Sequence, residues 1–116
     1  MADAITDLAA ERLIRRAPDH PLALAEDDQR YLLGCLEEVG RVFGIATLPD
    51  LPLDALPGRA LMRRLVDLRR TLRAADPEQR SALGRLAGAI QLVDTACALD
   101  HDHAAAVAAR HGKPED

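Results

Sequence analysis

The chain has 116 residues, of which 48% are hydrophobic and 29% charged, and its formal net charge is −4. This is the composition of one globular domain with its own core, and it excludes a disordered or membrane-embedded chain. Tyr31 and Phe43 are its only aromatic residues, which argues against aromatic-lined ligand pockets and base-stacking surfaces.

A core made of Leu, Ala, Val and Ile suits closely packed helices better than a β-sandwich. The sequence therefore predicts an all-α fold, an antiparallel bundle of four to five helices with a long C-terminal helix, in one domain spanning residues 1–116. The first helix is expected from about Asp3 to Arg16, stopped by "APDHP", where Pro18 and Pro21 cannot continue it. Pro21 is expected to open a short turn of helix behind Asp19 or His20. The second helix starts near Glu26–Asp28 and runs to about Gly44. Leu32, Cys35, Leu36, Val39, Val42 and Phe43 recur along it at helical spacing as one buried stripe. Gly34 and Gly40 each weaken it by up to about 1 kcal/mol relative to Ala, unless a neighbour packs close there.

In "LPDLPLDALPG", residues 48–58, three prolines forbid a regular helix, and Leu48, Leu51, Leu53 and Leu56 are expected to pin the loop to the core. The third helix is expected over about Leu56–Ala74. "DPEQ" at 76–79 is the clearest start signal in the chain: Asp76 as N-cap, Pro77 in the first turn and Gln79 reaching back. From Pro77 the helical pattern continues to His111 without a proline, and Gly112 and Pro114 end it. Leu83, Leu86, Ile90, Val93, Cys97, Asp100, Ala104 and Val107 form a heptad-like seam along it. A rod of that length, about 50 Å, is too long for its neighbours to cover. It must either break near Asp100–Asp102 or pack its far half on a second copy.

Two features bear on chemistry. In the third helix, Leu61, Leu65, Leu68 and Leu72 read as the buried stripe, with Arg59, Arg63, Arg70 and Arg73 on roughly the opposite side and Arg64 and Arg69 flanking. Residues 55–85 hold eight arginines and three acids, whereas the segments on both sides are acidic. Such a face either pairs with acids such as Asp27, Asp28, Glu37 and Glu38, or offers a surface to an acidic protein, phosphate or nucleic acid. The flanking acids make nucleic acid the poorer fit. In "ACALDHDHAAAVAARHG", residues 96–112, and just before it, Asp94, Cys97 and His101 share one helical face at i, i+3 and i+7, and all three are zinc-ligand types. His103 cannot join them, and the chain has no C-x-x-C, H-E-x-x-H or E-x-x-H motif. Helix punctuation with Cys97 as a small core residue explains the stretch better.

Ser81, Thr6, Thr47, Thr71 and Thr95 lie in no nucleophile-elbow or triad-like context, and no glycine-rich phosphate loop is present. Cys35 and Cys97 sit in apolar surroundings and form no disulfide framework. The N-terminus has early acids and no continuous apolar run, unlike a signal peptide, and no stretch reads as a membrane span. Fourteen arginines against one lysine point to GC-rich, bacterial codon usage. The expectation is a cytoplasmic, non-enzymatic interaction protein without a cofactor: an adaptor or a small regulatory or accessory subunit, homodimeric through its helices. The alternatives are a nucleic-acid- or phosphate-binding regulator using Arg59, Arg63, Arg70 and Arg73, and a metal-binding enzyme or sensor using Asp94, Cys97 and His101.

Overall fold

The computed structural model describes residues 6–111, and within them the chain is a helical bundle with a long C-terminal helix. α1 spans Asp7–Arg16, α2 Glu26–Phe43, α3 Gly58–Thr71 and α4 Pro77–His111, with a 3-10 turn at Leu53–Ala55. α4 is the spine. α2 packs along one side of it, α3 along another, and α1 lies on α3. α2 and α4 run antiparallel, since Gln79 bonds the Val42 carbonyl at one end while Cys35 reaches the Arg85 carbonyl farther along.

The helix ends follow local chemistry. Thr6 caps α1, its hydroxyl accepting from the Ala9 amide at 3.1 Å. The earlier start at Asp3 lies outside the described residues. Gly44 ends α2 in the left-handed conformation, φ 67°, with the Ile45 amide returning to the Gly40 carbonyl. The start of α3 lacks a capping side chain. Pro18 and His20 cap it through their carbonyls, which accept from the Arg59 and Gly58 amides at 2.7 and 2.9 Å. This contact takes the 18–22 segment past Gly58 with a bend at Asp19–His20, and the short helical turn expected at Pro21 is absent; Pro21 instead bridges Pro57. A Cβ on Gly58 would sit 3.0 Å from Leu22 and Pro18 side chains, so the close approach depends on glycine.

α3 ends at Thr71, three residues before the expected Ala74, because Leu72 is extended and Arg73 donates to the Arg70 and Leu72 carbonyls. The α4 start is as expected in its parts: Asp76 accepts from the Gln79 amide at 2.8 Å, while the Gln79 side chain accepts from the Ala75 amide at 2.7 Å.

The core joins Leu32, Leu36 and Val39 of α2, Leu61, Met62, Leu65 and Val66 of α3, and Leu86 and Val93 of α4, with Ala10 and Ile14 from α1. In the 48–58 loop Leu53 is the buried leucine; Leu48 and Leu51 are exposed and Leu56 half-buried. The residue that pins this region is Thr47, 3% exposed. Its hydroxyl donates to the Leu36 carbonyl, and its own carbonyl accepts from Arg64 at 3.1 Å. A polar side chain buried at this depth is stable only because it is paired in this way.

α4 does not break at Asp100–Asp102; it is one helix of 35 residues. By length and composition it is apolar enough to cross a membrane, but Ala82, Leu83, Leu86, Ala89, Ile90, Val93 and Cys97 along its first two thirds are core. From Ala98 onward nearly every described side chain is exposed, and only Asp100 and Val107 are half-buried.

Candidate functional site

The arginines of α3 do not form one free face opposite the leucine stripe. On a helix, Arg59, Val66 and Arg70 are at i, i+7 and i+11 and therefore neighbours, and Val66 is fully buried. α1 covers that side, so the buried arc of α3 is wider than the leucines alone suggest: it runs through Met62 and Val66, and leaves Leu68 and Leu72 only half-buried. Arg59 and Arg70 border this arc and turn onto α1. The Arg59 guanidinium caps the C-terminal end of α1, donating to the Ile14, Ala17 and Arg15 carbonyls at 3.2, 3.1 and 3.3 Å, and pairs with Asp19 at 3.0 Å. Arg70 pairs at 2.6 Å with Asp7, in the first turn of α1. Arg73 caps α3 itself. Three of the four expected anion-binding arginines are thus structural, and Arg63 alone of the four is exposed without such a bond among the described residues.

The acids expected to neutralise α3 are engaged elsewhere or unpaired. Asp27 pairs with Arg30 and Glu38 with Arg41, each within α2. Of the eight arginines in residues 55–85, only Arg59 and Arg70 reach a carboxylate within 4.0 Å among the described residues. Arg69, Arg73 and Arg80 line an open groove of about 430 Å³ between the end of α3 and the start of α4, with Leu72 and Leu83 in its walls. No sequence pattern marks it, because Arg80 lies on the next helix.

Asp94, Cys97 and His101 do share one side of α4, in a groove of about 530 Å³ with Arg15 and Arg16. Asp94 is taken by Arg16, at 2.8 Å. Cys97 is 3% exposed. Burial first, and then the charges of Asp94 and Asp100, push its thiol up to about 11. At neutral pH it therefore keeps its proton, whereas both metal ligation and nucleophilic attack use the thiolate. Among the described residues no group of three or more His, Cys, Asp or Glu side chains is arranged to hold a metal ion. Asp100 has a partner that sequence spacing could not show: His20, 80 positions earlier, whose Nε2 lies 3.0 and 3.1 Å from the two carboxylate oxygens. The Arg16–Asp94 and His20–Asp100 pairs fasten the end of α1 and the following segment to the middle of α4.

Beyond Asp100, α4 projects from the bundle. Ala104, Ala105, Ala106, Ala108 and Ala109 are exposed there, and Leu99 at the base of the projection is 65% exposed. On its α2 side, Ala23, Leu24, Leu92, Ala96 and Leu99 line a groove of about 300 Å³ that Asp28, Thr95, Asp100 and His103 also border. Comparison with protein-family models, curated proteins and solved structures finds no match to this chain.

Proposed function

We propose that this protein is a non-enzymatic interaction module, an adaptor or small regulatory or accessory subunit acting in the cytoplasm. The supporting observation is the projecting end of α4: three helical turns after Asp100 whose side chains are exposed among the described residues, Val107 alone being half-buried. A monomer gains little from extending an alanine-rich helix into water, since isolated helical turns are marginal without tertiary packing. A partner that packs on the exposed alanines provides that packing. A buried, protonated Cys97 and an Asp94 held by Arg16 weigh against thiolate or metal chemistry in the groove they line.

The test is a photo-crosslinking residue in place of Ala105, on the free end, in the source cell. The expected result is one discrete adduct with a different polypeptide, whose purified form binds the wild-type chain and not Ala105→Glu. Absence of any adduct, together with no self-association of the purified chain, would overturn the reading.

A second reading is supported by the arginine groove. Six arginines of residues 55–85 have no carboxylate partner among the described residues, and three of these line one groove, which suits a phosphate-bearing ligand. Retention on heparin that falls steeply with salt and is lost in Arg69→Ala/Arg80→Ala supports this reading; no retention at low salt removes it.

A further inference from the structure

Leu92, Ala96, Leu99, His103, Ala106 and Arg110 follow one another at steps of four, three, four, three and four residues, so they form a straight line along α4. Its first half, Leu92 to Leu99, is the wall of the groove shared with Ala23, Leu24 and Asp28. The second half, His103 to Arg110, is on the projecting end: His103 still borders the groove, and Ala106 and Arg110 face solvent. Each half spans eight residues. We propose that the groove is occupied by the free end of α4 from a second copy of this chain, in an antiparallel, two-fold symmetric pair. This rests on the interaction-module reading and names one partner for it.

In that pair Leu92 lies opposite Arg110 of the second copy, Ala96 opposite Ala106, and Leu99 opposite His103. The two-fold axis passes between Leu99 and His103, so each contact is made twice. The helices overlap from Leu92 to Arg110, about 27 Å. Ala96 and Ala106 let the two backbones approach at the close end of the usual range, about 8 Å between axes.

Two observations favour a second copy over an unrelated helix. The first is spacing: Leu92, Ala96 and Leu99 mirror Arg110, Ala106 and His103 about one midpoint of the line, so one rotation satisfies both sides. The second is charge. Asp28 is half-buried at the Leu92 end of the groove, and it has no basic partner within 4.0 Å among the described residues; Arg110 on the free end has no acidic one among them. The antiparallel register carries Arg110 of the second copy to Leu92, and so to Asp28. A parallel register would place Arg110 against its own counterpart. The opposite flank of α4 is more densely charged, with Arg15, Arg16, Asp94, His101 and Asp102 bordering it.

The area buried is on the order of 1,000 Å² in total, at the lower edge for specific interfaces and in the size range of weak, reversible association. Sedimentation velocity or light scattering between about 1 and 500 μM should show the mass rising from 12.5 kDa toward twice that value. Leu99→Glu should leave the circular dichroism spectrum unchanged, because Leu99 is exposed, and should abolish the rise. Asp28→Arg and Arg110→Asp should each weaken association about tenfold, and the double variant should recover most of it. A monomer over the whole range overturns the dimer and leaves the broader interaction reading standing unless the Ala105 crosslink also yields no adduct. A dimer that survives Leu99→Glu, or charge variants without mutual rescue, overturns this interface.

Discussion

Two glycines in the same helix should respond to alanine with opposite signs. Glycine costs an α-helix about 0.8–1.0 kcal/mol relative to alanine, so propensity alone predicts that Gly34→Ala and Gly40→Ala both stabilise α2. A Cβ on Gly34 meets nothing within 4 Å, and Gly34→Ala should gain most of that amount, raising Tm by about 4 °C. A Cβ on Gly40 would lie 2.9 Å from the Ile45 carbonyl oxygen and 3.0 Å from the Thr47 hydroxyl. Neither atom can retreat freely. The Ile45 amide is bonded to the Gly40 carbonyl at 3.1 Å, the Thr47 hydroxyl to the Leu36 carbonyl, and the Thr47 carbonyl to Arg64. Overpacking against a fixed backbone costs about 1–3 kcal/mol, which exceeds the propensity gain, so Gly40→Ala should lower stability by about 1 kcal/mol. Urea unfolding followed by far-UV circular dichroism separates the two variants by about 2 kcal/mol. If Gly40→Ala stabilises as much as Gly34→Ala, the 45–47 segment does not pack tightly on α2, and the anchoring role of Thr47 fails with it.

Arg59→Ala should cost about 1–3 kcal/mol, because it removes three carbonyl bonds from the end of α1; Arg59→Lys should recover little, since one ammonium cannot reproduce the fork, and urea titration of both variants checks this. Cys97 gives a pH signature. Its thiol is raised from 9.0 to about 11 in the folded chain, so the unfolded chain releases this proton first. Stability should fall as pH rises from about 9 to 11, by at most a couple of kcal/mol, and Cys97→Ala should flatten that slope in unfolding measurements. In a Cys35→Ala background, alkylation of native Cys97 should stay slow at pH 8 and accelerate only in denaturant; rapid native labelling would contradict its burial. Zinc should not raise Tm, and a rise that Cys97→Ala abolishes would show that Arg16 releases Asp94 to a metal.

The architecture was legible where one local rule decided the outcome. The Asp76–Gln79 start and the stripe from Leu32 to Val39 each depend on contacts within a few residues along the chain, and a sequence displays those directly; the continuity of α4 past Asp100 was left open by the same rules. The start of α3 was not legible, because its caps are the carbonyls of Pro18 and His20, and any residue type carries a carbonyl. Leu48 and Leu51 resemble anchors by hydrophobicity, yet the anchor is Thr47, whose value lies in a hydroxyl that finds the Leu36 carbonyl only after folding. The His20–Asp100 pair joins positions 80 residues apart and leaves no periodic trace.

The arginine helix shows why a charged face read from one helix can mislead. A single leucine stripe implies one neighbour, but α3 has two, α4 and α1, and the second claims the side where Val66 lies between Arg59 and Arg70. Once that side is covered, the long arginine side chains at its border are best placed to reach the ends of α1, and they satisfy its last carbonyls and its first acid. The positive charge left over therefore gathers between the end of α3 and the start of α4, at Arg69, Arg73 and Arg80. The end of α4 follows the opposite course: its heptad seam continues past Cys97 while the helices that bury it stop. Beside that seam, the line from Leu92 to Arg110 also runs on without a covering helix among the described residues; a two-fold partner would cover it, and Asp28 and Arg110 lie where that partner would pair them.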